Sequence, residues 1–199
     1  MSLNNVYKSV MIIAVLCGGA SMSTVAQADD GECEMMSALK TVDFGRYRKE
    51  DMQKGSVEHV GKVYNGYASQ TREFQVSVMC PDVRKMRISI NGAARQNRAY
   101  RFTDSGAMKI AFKDGRVDGN TVQLTAVDIG TVAVHGGASE VTLPPEKALV
   151  AVSGTEVAGE QFVATMMVTT YLSDKAFSVS NATDLTETLT LNVDTLPAQ

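Results

Sequence analysis

The chain of 199 residues has no tryptophan, only two histidines, four prolines and three cysteines. Without tryptophan, the side chain that packs on the disulfide of antibody domains has no counterpart. With so little histidine, the commonest general base is nearly missing. His59 lies in SVEHVGK and reads as an exposed polar residue, and His135 stands beside Gly136-Gly137 in a turn. Neither belongs to a nucleophile motif: G-x-S-x-G, H-E-x-x-H, C-x-x-C and a phosphate-binding glycine loop are all absent. Glu32 and Glu34 flank Cys33, but alternating positions near a terminus suit solvent better than acid–base work. The expectation is a protein that is not an enzyme and holds no metal and no cofactor. Helical periodicity is also scarce, and only residues 51–60 could carry a turn of helix.

The one long apolar run is at the start. Lys8 is followed by VMIIAVLC at residues 10–17, too short to span a membrane, and then by Ala26-Gln27-Ala28. This is the pattern of an export signal, so residues 1–28 are expected to be removed, leaving residues 29–199 as one domain; a cut after Ala20 is the alternative. Lys8 leaves with the signal, so the mature chain carries 18 basic against 22 acidic residues, which argues against nucleic acid as a partner. Cys17 leaves too. Cys33 and Cys80 remain in an oxidising compartment and most simply pair, worth roughly 4 kcal/mol for a loop of that length. The other use of two cysteines, a metal site, lacks further ligands nearby.

What is present in quantity is period-two alternation, the mark of a strand with one buried face. Phe74, Val76 and Val78 alternate with Gln75 and Ser77, and Met86, Ile88 and Ile90 with Arg87 and Ser89 before Asn91-Gly92. Met108, Ile110 and Phe112 follow, with a turn expected at Lys113-Asp114-Gly115. Val122 and Leu124 come after Asp118-Gly119-Asn120. Residues 161–172 form a run rich in Val, Thr and Met, and TETLTLNVDTL at 186–196 places Leu189, Leu191 and Val193 on one face. Short strands separated by Gly and Asn/Asp turns predict an all-β antiparallel sandwich or barrel. Charge is uneven along it. Residues 83–117 hold nine basic and two acidic residues, and residues 118–199 hold two basic and ten acidic. That reads either as solvated strand faces or as a basic patch that docks on an acidic surface.

A cysteine soon after the mature start, TVDFGRY at 41–47 and FQVSVMC at 74–80 together resemble a subunit of chaperone–usher fimbriae, a pilin-like protein. The resemblance implies an immunoglobulin-like sandwich, incomplete because it lacks its last strand. It also implies a Cys33–Cys80 disulfide between the first two strands. A donor strand would fill a groove lined by Leu189, Leu191 and Val193 on one side and by Ala38, Val42 and Phe44 on the other. Implied partners are a periplasmic chaperone, an outer-membrane usher and a neighbouring subunit that donates the strand. The implied location is the cell surface, reached through the periplasm, with a contribution to adhesion. The four residues 29–32 before Cys33 include three acidic and no apolar side chains. They suit a subunit that accepts a strand without donating one. The alternatives are a fibre-tip adhesin that binds a host or surface ligand, and a free-standing secreted β-sandwich that acts as a binding module.

Overall fold

A computed structural model describes residues 31–37, 47–59, 62–95, 99–178, 185 and 187–198. Among the described residues thirteen strands follow one another: β1 (Glu34–Ser37), β2 (Gln53–His59), β3 (Lys62–Ala68), β4 (Arg72–Asn91), β5 (Tyr100–Phe102), β6 (Gly106–Val117) and β7 (Asn120–Thr121). Then come β8 (Gln123–Asp128), β9 (Glu140–Thr142), β10 (Lys147–Ser153), β11 (Thr155–Glu156), β12 (Ala158–Leu172) and β13 (Thr190–Pro197). The pairings are antiparallel. The fold is all-β and immunoglobulin-like, with one disulfide, Cys33–Cys80.

The long strand β4 organises it by serving two layers. Its first half lies between β1, which pairs with residues 76–79, and β12, which in turn carries β6. Its second half lies between β10, which carries β8, and β13. Residues 76–79 face β1 and β12 on opposite sides, and Arg84 and Lys85 face β12 and β13 on opposite sides. So β1 and β13 run end to end along one flank of β4. Val76 and Val78 from the first half and Met86, Ile88 and Ile90 from the second point into one core with Ile110, Phe112, Leu149, Phe162 and Val168. These buried aliphatic and aromatic side chains are the main drive to fold.

Three readings of the sequence need correction. The alternating segments around Val76 and Ile88 are one strand, although Pro81 stands between them. The ladder with β12 breaks its register here, between Gly159 and Gln161, and a proline fits such an irregular stretch. Lys113-Asp114-Gly115 does not turn the chain; β6 runs on to Val117. Asp114 has φ 55° and the register with β12 shifts between Val163 and Thr165, so the segment is a bulge. The real turn follows at Asp118 and Gly119, φ 48° and 78°, between the paired Val117 and Asn120. That is the two-residue hairpin loop with left-handed φ at both positions. Finally, residues 53–59 form strand β2, and the only helical turn there is Lys49–Asp51. The tyrosine and valine side chains of β3 and β2 pair across the hairpin and override the weak helical pattern.

Candidate functional site

The last strand is the most unusual place in the molecule. Eight residues of β13 pair with β4, from Thr190 opposite Asn91 to Pro197 opposite Arg84. Among the described residues nothing pairs with its other flank. Leu191 and Val193, with Leu189 just ahead of the strand, pack against the core but remain half-buried. The face predicted from alternation is thus the face observed. Among the described residues no strand covers that flank, and an edge strand leaves half its backbone groups and the flanks of its side chains uncovered.

The segment leading into β13 is fixed by chemistry that the sequence pattern does not reveal. Glu187, largely buried, accepts a hydrogen bond from the Thr103 N–H at 3.1 Å and pairs with Arg101 at 3.3 Å. Thr103 has φ 56°, and the carboxylate holds this tight β5–β6 turn. Leu189 lies over Gly92, where any side chain would run into Leu189 and the ring of Tyr100. Tyr100 is buried, and its hydroxyl is the one buried side-chain polar atom without a partner among the described residues. Burial alone raises its pKa well above the ordinary tyrosine value. The strand is therefore clamped at its start, and its outer flank is unpaired among the described residues.

Of the other residues singled out from sequence, Cys33 and Cys80 meet in the disulfide that ties the start of β1 to β4. Ala38, Val42 and Phe44, the expected far wall of the groove, lie outside the described residues. Several residues of the basic segment pair with acidic ones within the chain. Arg87 is buried against Glu156, Arg101 pairs with Glu187, and Lys113 pairs with Glu73 at 2.8 Å. Part of the charge asymmetry is thus answered within the chain, as basic strands lie beside acidic ones. Among the described residues no group of acidic, histidine or cysteine side chains could hold a metal ion. A shallow open depression between β4, β6 and β12 is lined by Gln75, Asp114, Arg116, Gln161 and Thr165, with no nucleophile paired to a base.

The Arg87–Glu156 pair was not foreseen. The guanidinium donates from Nε and Nη2 to the two carboxylate oxygens at 2.8 and 2.7 Å, and from Nη1 to the Thr131 carbonyl at 2.6 Å. Both side chains are only 7% exposed. The hydrogen bond that Arg87 donates to Glu156 outweighs burial and raises the Arg87 pKa further, so the arginine stays charged. Alternation alone placed Arg87 on a solvated face; it is covered because the 129–137 loop folds over that face.

No protein-family model matches the chain. No curated protein matches it either. Among solved structures the chain is similar to the P pilus rod subunit PapA, at 8% identity over 82% of this chain and 99% of that one, with a TM-score of 0.44.

Proposed function

We propose that this chain is a structural subunit of a surface fimbria or pilus, assembled by the chaperone–usher route through donor-strand complementation, and contributing to adhesion rather than catalysis. The observation that carries the reading is the β13 edge. A fully alternating strand has one flank on β4, and its other flank has no partner among the described residues. An incoming strand would satisfy the open N–H and C=O groups and cover Leu189, Leu191 and Val193. Each side chain so completed contributes on the order of 1 kcal/mol, against the cost of ordering the strand. The partners in this reading are a periplasmic chaperone during export, an outer-membrane usher, and then a neighbouring subunit. The disulfide joins the first strand to β4, where the pilin-like pattern of the sequence expects it.

The test is expression of the full chain in a periplasm with and without its cognate chaperone. The reading expects aggregation or degradation alone, and rescue by the chaperone. A stable monomer with a cooperative melt in the absence of any partner would instead make the chain a self-contained secreted sandwich.

A further inference from the structure

The outward face of β1 and of the first half of β4 carries two thioethers in solvent. Among the eight methionines of the described residues, Met36 is 51% exposed and Met79 is 46% exposed; the other six are half-buried or buried. The two belong to one surface. In the β1–β4 ladder Met36 stands opposite Ser77 and Glu34 opposite Met79, so Met36 and Met79 are diagonal neighbours. Successive residues of a strand point to opposite faces. Val76 and Val78 point into the core, so Ser77 and Met79 point away from it. Diagonal neighbours on one face are about 7–8 Å apart, within reach of two long flexible side chains.

Alternation separates this pair from the other methionines. Met35 turns the opposite way from Met36, stands opposite Val78 and packs against the core. Met86, Met108 and Met166 are core residues. Met167 is flanked by Glu73 on β4 and by Ala111 on β6, and is half-buried. Met36, by contrast, lies on β1, whose other flank has no partner among the described residues.

We propose that Met36 and Met79 form a paired oxidation site, at which the folded chain takes up hydroperoxide oxidants as methionine sulfoxide and keeps its fold. The thioether lone pair attacks the terminal oxygen of the hydroperoxide, ROOH. The S–O bond forms as the O–O bond breaks, and sulfur gives up two electrons. The proton on the transferred oxygen passes to the leaving alkoxide, which departs as ROH. Sulfoxidation turns an apolar side chain into a polar one. On the outward face the new oxygen meets water, beside the polar register neighbours Ser77 and Glu34. At Met35 or Met86 the same oxygen would enter the core, where a polar group without a partner is costly. The chain thus takes up oxidant at the two positions where the product does least harm. This holds whether or not a strand adds to β13, since it concerns an outward face and not that edge.

The test treats the full exported chain with limiting hydrogen peroxide and follows each methionine by peptide mass spectrometry. Met36 and Met79 are expected to form sulfoxide at least about tenfold faster than Met35, Met86, Met108 and Met166, following their exposure. The melting temperature of the doubly oxidised chain stays at the wild-type value, and methionine sulfoxide reductase restores both residues. The Met36→Leu/Met79→Leu variant keeps both side chains apolar and of similar volume, so it melts as wild type and loses the fast phase of peroxide uptake. Equal rates at core and outward methionines, or reaction at only one of the pair, overturns the proposal. So does a melting temperature that falls as the first two oxygens enter, or a fast phase that survives in the double variant.

Discussion

β12 and β13 are written in the same code and end in different states. Both alternate apolar with polar side chains, and both lie on β4. β12 has a strand on each flank, β4 and β6, and Phe162, Ala164, Met166 and Val168 along it are buried. β13 has β4 alone among the described residues, and Leu191 and Val193 stay half-buried. Alternation therefore tells which side chains face the core, and the number of neighbouring strands decides how completely they leave water.

This comparison is sharpened most by a pair of truncations. Phe162→Ala on β12 should cost about 3–5 kcal/mol in urea unfolding, while Leu191→Ala on β13 should cost about 1 kcal/mol, because its cavity opens to solvent. Equal costs would mean that β13 is as enclosed as β12. Glu156→Gln should cost about 3–5 kcal/mol, since it leaves Arg87 buried without its counter-charge. The same melts would show whether the loop over the outer face is part of the cooperative unit, as proteolysis near Thr131 should rise in this variant. Replacing Cys33 and Cys80 together by Ser should lose about 2–5 kcal/mol and loosen β1 from β4. No change on adding reductant to the wild type would contradict that.

Smaller effects concern the clamp at the start of β13 and the Lys49–Asp174 pair. Tyr100→Phe removes a hydroxyl that is buried without a partner, so it should raise stability by about 1 kcal/mol. A loss would mean that the hydroxyl is bonded after all. Nearby in sequence to β12, Asp174 accepts from the Lys49 ammonium at 2.5 Å, and this hydrogen bond holds its carboxyl below the ordinary value. A lowered carboxylate pKa supports folding above the ordinary value near 3.8 and loses that support as pH falls through the lowered value. The melting difference between wild type and Asp174→Asn should therefore be small at neutral pH and vanish in stronger acid. A difference that grows on acidification would reverse the sign.

Much of the fold was legible because period two survives in a single sequence. The run at 161–172 falls within β12, and Leu191 and Val193 face the core as read. The errors share one cause: glycine, proline and aspartate mark departures from a regular strand without saying which kind. Lys113-Asp114-Gly115 makes a bulge and Asp118-Gly119 a turn, from nearly the same residue types. Pro81 interrupts a ladder without ending β4. Leu189, Leu191 and Val193 announce by their spacing that they turn toward the core, whereas Glu187 on Thr103 and Arg87 on Thr131 depend on contacts between residues far apart in the chain. A lone arginine on a strand carries no mark that a loop more than forty residues later will cover it.

The central claim is that β13 is an edge that accepts a strand, and hydrogen exchange measures this amide by amide. In an antiparallel strand, alternate N–H groups point to opposite flanks. In the isolated protein, amides of residues 190–196 that point to β4 should be protected and those between them should exchange freely. Adding a strand-forming peptide or the chaperone should protect the second set. Uniform slow exchange along β13 in the isolated protein would show that its outer flank is already paired, and would contradict the account.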